Sequence, residues 1–453
     1  FKIIFIINLK DVIINNHYIN GGVVLNKIFD EPLIGACIFG QSGGPTAVIN
    51  ASAYGVIRTA LDCDAITKVY GAAYGIKGVL EDELYDMGEE EDYELKLLLN
   101  TPSSELGSCR YKMADPDVDD TDYKRVLEIF KKYDVRYFFY NGGNDSMDTC
   151  NKISKYMEKV GYECRVIGVP KTIDNDLFGT DHCPGYGSAA KFIATTCMEI
   201  GKDTDVYNTD MVTVVEIMGR HAGWLTASAA LATEYGNGCG PDLIYLPEID
   251  FDLDQFTEDV TKIMKQKRNV LVAVSEGLHY ADGSFVSEAE VSGTDGFGHA
   301  QLGGLAVKLA NYLKERLGLK KVRGIELSLL QRSAAHIASL VDVEEAEAVG
   351  RAAVEAAVNG ATGQMVALER DDSTGLYSCK PTLLSLNSVA NYEKKVPVNW
   401  ITKDGNYVTN EFINYVLPLI QGEPKIPRSN ALPRYARLKK VKAKAEAEAP
   451  VCE

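Results

Sequence analysis

The sequence predicts an α/β protein made of two mainly parallel-sheet domains, and three features carry that expectation. From Ile34 onward, short apolar runs alternate with amphipathic stretches, the pattern of strands joined by crossover helices. At 453 residues the chain is longer than one ordinary core accommodates, so two domains are expected. Polar, Gly-rich loops recur just after the apolar runs, at the strand ends where open α/β sheets bind ligands.

The first unit reads IGACIFGQSGGPTAVINASAYGVIRTAL. Its strand ends at Phe39, a loop carries Gly40, Gly43 and Gly44, and a helix is expected from about Thr46. Glycines there let backbone amides approach a phosphate, and a helix N-terminus adds partial positive charge. The loop matches neither a Walker motif nor a dinucleotide fingerprint, and a plain strand-to-helix turn is the competing reading. Next, GSCRYKM presents Arg110 and Lys112 two residues apart, either as solvated charges or as a grip on phosphate oxygens. A helix from Thr121 to Tyr133, with Tyr123, Leu127 and Phe130 on one face, leads to a strand from Val135 to Tyr140. After that strand, NGGNDSMDT places Gly142 and Gly143 before the polar pair Asn144 and Asp145.

The stretch richest in chemistry is VIGVPKTIDND. The run Val166, Ile167 and Val169 is a buried strand that stops at Pro170, which cannot donate to a sheet ladder. Lys171, Thr172, Asp174 and Asp176 follow on one loop. In an extended loop, positions two apart face the same way, so the two carboxylates converge on one reacting group with a lysine beside them. A surface turn in which Asn175 and its acidic neighbours bond their own backbone is the alternative. Beyond it, a helix is expected from Ser188, and the strand MVTVVEIM ends in GRHAGW, putting Met218, Gly219 and Arg220 on another strand-end loop. His221 in that loop is read as a packing or capping residue. NVLVAVSEG is a further buried strand with Glu276 at its tip, and Gly303 and Gly304 open a helix to about Leu317. RGIELSLLQR opens with Arg323, and the strand read just after that arginine ends in Gln331 and Arg332. The helix from Val343 to Val358 is Ala- and Glu-rich and carries no chemistry in this reading.

Composition narrows the function. A net charge of -17 without a basic stripe argues against nucleic acid, and an acidic protein with an anionic substrate must gather its positive charge locally. Ten cysteines without a CxxC pair or zinc spacing indicate reduced thiols and a cytoplasmic setting. The apolar start FKIIFIIN is far shorter than the ~20 residues that span a bilayer, so no membrane partner is expected. Residues 1–33 are expected to be an appendage without a role, and 436–453 a charged, disordered tail.

Taken together and in order, GGPTAVIN, GGNDS, PKTIDND, MGRHAGW, SEG and LLQR resemble the phosphofructokinases, specifically their pyrophosphate-dependent branch, over roughly Ile34 to Gly363. The resemblance implies a phosphofructokinase-like fold whose two α/β domains close over a cleft. Residues 34–185, completed by about 333–400, would hold the phosphoryl donor and Mg²⁺; residues 186–332, completed by about 401–435, would hold fructose 6-phosphate. It implies that Gly43, Gly44, Gly143, Arg110 and Lys112 bind the donor, and that Asp174 is the general base with Thr172, Ile173 and Asp176 beside it. By the same resemblance Met218, Gly219, Arg220, Glu276 and Arg332 bind the sugar phosphate, Arg220 also meeting the moving phosphoryl group. Arg323 matches a position that reaches the 6-phosphate from a neighbouring subunit, which implies a homodimer or homotetramer. Asp145 and Lys171 stand where the ATP-dependent members carry glycine, which favours pyrophosphate as the donor. The chain departs from the pattern at three places. Asn144 replaces a metal-associated aspartate, so the metal would be held through its amide oxygen, water or Asp145; Met211 replaces a second intersubunit arginine, and Leu329 replaces a polar residue near the 6-phosphate. An ATP-dependent enzyme and a catalytically silent regulatory subunit are the rival readings. Asp145 with Lys171 argues against the first, and the retained Asp174, Asp176 and Arg220 argue against the second.

Overall fold

The structure is a computed structural model that describes residues 32–287, 302–390 and 392–445. Strands β1 (Gly35–Gln41), β2 (Ile66–Ala72), β3 (Leu84–Asp86), β4 (Val135–Gly142) and β5 (Arg165–Pro170) begin one sheet. A second sheet follows, of β6 (Met211–Ile217), β7 (Leu243–Tyr245), β8 (Asn269–Ser275) and β9 (Lys321–Glu326). The chain then returns to the first with β10 (Gln364–Asp371) and β11 (Ser378–Ser385). The orders are β11-β10-β5-β4-β1-β2-β3 and β7-β8-β6-β9. Every residue of β1 and β6 is buried, as expected of parallel strands covered on both faces by crossover helices.

Register brings the sequence motifs together. Asn141 pairs with Val169 and Gly142 with Pro170, so the loops that leave β4 and β5 emerge side by side. In the second sheet Ile217 pairs with Ser275 and Glu216 with Glu326, which sets Met218, Glu276 and the segment after β9 along one edge. The Ile49–Leu61 and Leu340–Val358 helices lie against each other through two glycines. A Cβ on Gly55 would meet the Glu347 carbonyl at 2.2 Å, and one on Gly350 the Ser52 carbonyl at 2.2 Å. Small residues on the second helix therefore serve close backbone approach. Residues from Val396 to Leu419 pack into the core of the second sheet, where Trp224 and Tyr415 lie 5.2 Å apart.

Several boundaries differ from the sequence reading. The first helix begins at Ile49 rather than Thr46, because the Thr46 hydroxyl accepts the Val48 N–H and holds a turn there. The later helices start at Tyr186 and Leu340, ahead of Ser188 and Val343. Arg323 lies inside β9, not before it, and Arg332 sits on the short helix Leu330–Ser333 rather than at a strand end. The tail expected to be disordered is, over 436–445, a strap along β3: Asp86 N–H bonds the Val441 carbonyl and Ala443 N–H the Leu84 carbonyl. Its charges are matched, with Lys439 on Glu91 at 2.6 Å and the Glu90 carboxylate accepting the Lys439 and Lys440 amides. A compositional reading sees these charges but not the acidic ridge that receives them. Residues 1–31 and 446–453 lie outside the described residues. Among the described residues, no helix is long and apolar enough to cross a membrane, and none of the nine cysteines forms a disulfide.

Candidate active site

A cleft of about 690 Å³ opens where the carboxyl ends of the two sheets face each other. Gly43, Gly44, Arg110, Gly143, Asn144, Asp145, Lys171, Thr172, Ile173, Asp174, Asp176, Met218, Arg220, Glu276 and Arg332 all line it. Three residues of the sequence-based set do not. Gly219 lies just behind, its N–H bonding the Glu276 carboxylate at 3.2 Å. Lys112 is exposed and outside the cleft, so spacing from Arg110 was a poor guide to its direction. Arg323 lies in a separate basic concavity with Lys314, Lys320 and Lys321, paired with Asp203 at 2.7 Å.

The phosphate-type loop is locked by its neighbours. Gly43 takes a left-handed φ of 75°, its N–H bonds the Cys109 carbonyl and its own carbonyl accepts the Ser108 hydroxyl at 2.7 Å. At Gly44 a Cβ would stand 3.1 Å from Arg332 and 3.9 Å from Arg110, so the missing side chain lets two guanidinium groups close over the loop. Lys171 reaches across from the end of β5 and donates to the Gly44 carbonyl at 2.6 Å. Burial, together with Arg110 and Arg332, lowers its pKa to about 8 against the pull of Asp174.

Both carboxylates of PKTIDND face the cleft, but not through an extended loop. Asn175 between them is left-handed at φ 55°, so a turn replaces the two-residue alternation expected from sequence. Desolvation by the cleft walls, with Asp176 and Glu276 nearby, pushes Asp174 up to about 7. Such a carboxyl is poised to accept a proton near neutrality. Desolvation also raises Asp176 and Glu276.

The residues present suit a hard divalent cation. The Asn144 amide donates to Asp176 Oδ2 at 3.1 Å, while Asn144 Oδ1 and Asp176 Oδ1 are buried without a hydrogen-bond partner. Buried, unsatisfied oxygens of this kind are the donors that a hard cation such as Mg²⁺ takes. His221, read from sequence as a packing or capping residue, is instead exposed and lines the cleft, and so does Glu393, which sequence reasoning passed over; their side chains stand 3.8 Å apart. Glu393 comes from a segment with no motif. It is carried in by an antiparallel bridge to Leu177, and the Lys394 N–H bonds the Asp176 carbonyl at 2.7 Å.

Comparison with known proteins places these features. The family model described as Phosphofructokinase matches residues 36–357. A protein of Halomonas elongata named pyrophosphate–fructose 6-phosphate 1-phosphotransferase is 45% identical over 89% of this chain and 96% of its own length. One of the same name from Methylococcus capsulatus is 44% identical over 88% and 95%. The crystal structure of a pyrophosphate-dependent phosphofructokinase from Nitrosospira multiformis superposes with a TM-score of 0.82 at 42% identity, covering 91% of this chain and 98% of that one. The β4, β5, β6 and β8 loops that build the cleft all fall within the matched span, and the chain belongs to the phosphofructokinase family.

Proposed function

We propose that the chain transfers a phosphoryl group from pyrophosphate to the 1-hydroxyl of fructose 6-phosphate, reversibly, giving fructose 1,6-bisphosphate and phosphate as a step of glycolysis. The observation that carries this reading is that Asp145 and Lys171 line the same cleft as Asp174. The relatives named for this reaction span nearly the whole chain, which supports it.

Phosphoryl transfer asks little covalent help of a protein; it asks for in-line positioning and for compensation of charge on the moving group. In this reading Asp174 takes the proton of the 1-hydroxyl, and Arg220 faces the phosphoryl group in flight. Gly43, Gly44, Gly143 and Arg110 hold the donor. Met218, Gly219, Glu276 and Arg332 hold the sugar phosphate, with Thr172 and Ile173 at its reacting end. Asn144 and Asp176 would hold Mg²⁺, which when bound neutralises donor charge. Lys171 bonds the phosphate that leaves.

Arg323 has no place in its own cleft, and Met211 lines the same basic concavity. The reading is that this face meets a second copy in a homodimer or homotetramer, with Arg323 completing the neighbour's sugar-phosphate site. A cytoplasmic setting, expected from the scattered cysteines of the sequence, is part of this reading.

An aldolase-coupled assay of the purified chain with pyrophosphate or ATP, each with and without Mg²⁺, tests the reading. Turnover with pyrophosphate and Mg²⁺ and little with ATP is expected. A preference for ATP, or no turnover with either, overturns it.

A further inference from the structure

The residue between the two cleft carboxylates points away from the cleft. Asn175 is fully buried, and its carboxamide uses both ends. Oδ1 accepts the Cys183 N–H at 2.9 Å, and Nδ2 donates to the Tyr415 hydroxyl at 2.8 Å. The Tyr415 hydroxyl in turn donates to the Asp181 carbonyl at 2.7 Å. Tyr415 belongs to the Asn410–Val416 helix and packs among Trp224, Trp400 and Phe412 in the core of the second sheet. Arg370, on β10 of the first sheet, holds the same tyrosine. Its guanidinium lies 4.7 Å over the ring, donates to the Tyr415 carbonyl at 2.9 Å and bonds the Asp181 carboxylate at 3.1 Å.

We propose that Asn175 and Tyr415 are positioning residues for phosphoryl transfer: the Tyr415 hydroxyl, fixed from both sheets, pins the Asn175 carboxamide and thereby aims Asp174 and Asp176 into the cleft. This rests on the reading of Asp174 as the base.

A left-handed backbone alone does not call for this arrangement. Asparagine tolerates that conformation, but glycine adopts it at least as readily. An asparagine serving only a turn would bond its own neighbouring backbone. Here the amide bond instead reaches a partner 240 residues away, and each end of the carboxamide meets a group of opposite polarity. Aspartate lacks the donor, and glycine lacks both. The side chain is therefore matched to a tether rather than to a turn. Because Asp174 and Asp176 are its immediate neighbours, a small rotation of Asn175 displaces both carboxylates at once.

Turnover, KM and thermal midpoint of Asn175→Gly, Tyr415→Phe and the double variant test the tether. Glycine keeps the backbone and removes the side chain, while phenylalanine removes one oxygen. Each single variant should stay folded and lose about 10- to 100-fold in kcat, the scale of an ångström's misplacement, with KM for both substrates nearly unchanged. The double variant should be no slower than the slower single. An unchanged kcat in folded Asn175→Gly, or single effects that multiply in the double variant, overturns the proposal. Asp174→Asn runs alongside as the control. If it is inactive while Asn175→Gly is unaffected, only the tether falls; if it is active, the base assignment falls as well.

Discussion

Two dense groups of ionisable side chains lie at either end of the 171–182 stretch, and they are built on opposite rules. In the cleft, Lys171, Asp174 and Asp176 stand with Glu276 and Arg332, and two oxygens, Asn144 Oδ1 and Asp176 Oδ1, are buried without partners. Behind it, His182 is held by Asp181 at 2.8 Å and by Glu345 at 2.7 Å, Glu345 takes the Tyr377 hydroxyl at 2.5 Å, and Lys394 bonds the Asp181 carbonyl at 2.6 Å. The second group looks more like a metal centre on composition, since ligand atoms of His182, Glu345 and Cys379 lie within 4.8 Å of one another. Both imidazole nitrogens are already bonded to carboxylates, however, so no nitrogen is left for an ion. A cluster whose atoms have all found partners is a strut. One that leaves buried oxygens open is shaped for something that arrives.

That contrast predicts opposite outcomes for substitutions in the two groups. Asp174→Asn should lose on the order of 10²–10⁴ in turnover, because an amide cannot accept the hydroxyl proton. Its thermal midpoint should hold or rise, since the surroundings of Asp174 already disfavour its charge. Turnover above half of wild type removes Asp174 from the mechanism.

Glu345→Ala should do the reverse. It leaves a buried imidazolium short of one partner, which costs about 3–5 kcal/mol of stability, while the molecules still folded keep most of their kcat. Denaturant unfolding with active-site titration separates the two. A stable but inactive Glu345→Ala would dissolve the distinction between strut and site.

The sequence disclosed the cleft better than the strut, for a physical reason. Lys171, Asp174 and Asp176 sit on one loop after one strand, so local pattern alone brings them together. Parallel pairing of neighbouring strand ends then collects the other loops. The strut is assembled across distance: His182 meets Glu345 163 residues later, on a helix whose Ala and Glu content showed no chemistry. Likewise Glu393 reaches the cleft only because its backbone bridges to Leu177. Local spacing also misled where direction is set by surroundings. Lys112 points to solvent, and the turn at Asn175 replaces the alternation expected of an extended loop.

Donor choice sharpens the comparison inside the cleft. Asp145 lies in the first turn of the Asn144–Lys159 helix, where the potential favours an anion; in the proposed reading its carboxylate occupies that potential in place of a nucleotide phosphate. Two like charges ~4 Å apart at a near-surface effective dielectric repel by about 4 kcal/mol before screening, enough to decide between donors. Asp145→Gly should therefore admit some ATP, and Lys171→Gly should sharply lower pyrophosphate-driven rates. The measurement is kcat/KM for both donors in wild type, each single variant and the double variant. Undetectable ATP use in Asp145→Gly, with unchanged pyrophosphate use in Lys171→Gly, would overturn the donor assignment.

The smallest effect lies in pH, where the two groups should move in opposite directions. Burial opposes a charge on His182, but Glu345 and Asp181 overcome it and hold the group up to about 9 from 6.5. A folded pKa above the unfolded one gives stability that is fully present below about 6.5 and lost as pH rises through about 9. Within that window the strut should weaken by about 1.4 kcal/mol per pH unit at most. The cleft runs the other way at first. Asp174 must be ionised to act as a base, so kcat/KM should rise as pH passes about 7. Lys171, needed as a cation, should bring it down again past about 8. A rise in activity therefore coincides with the onset of a loss of stability. Lys171 complicates the raw stability curve, because its lowered pKa makes its charged form a penalty that is relieved above about 8. The clean quantity is the difference in unfolding free energy between wild type and His182→Asn, in which the cleft contributions cancel. That difference should shrink steadily from about 6.5 towards about 9. A difference independent of pH would show that His182 carries no charge in the folded protein, and that the group behind the cleft is held by neutral hydrogen bonds instead.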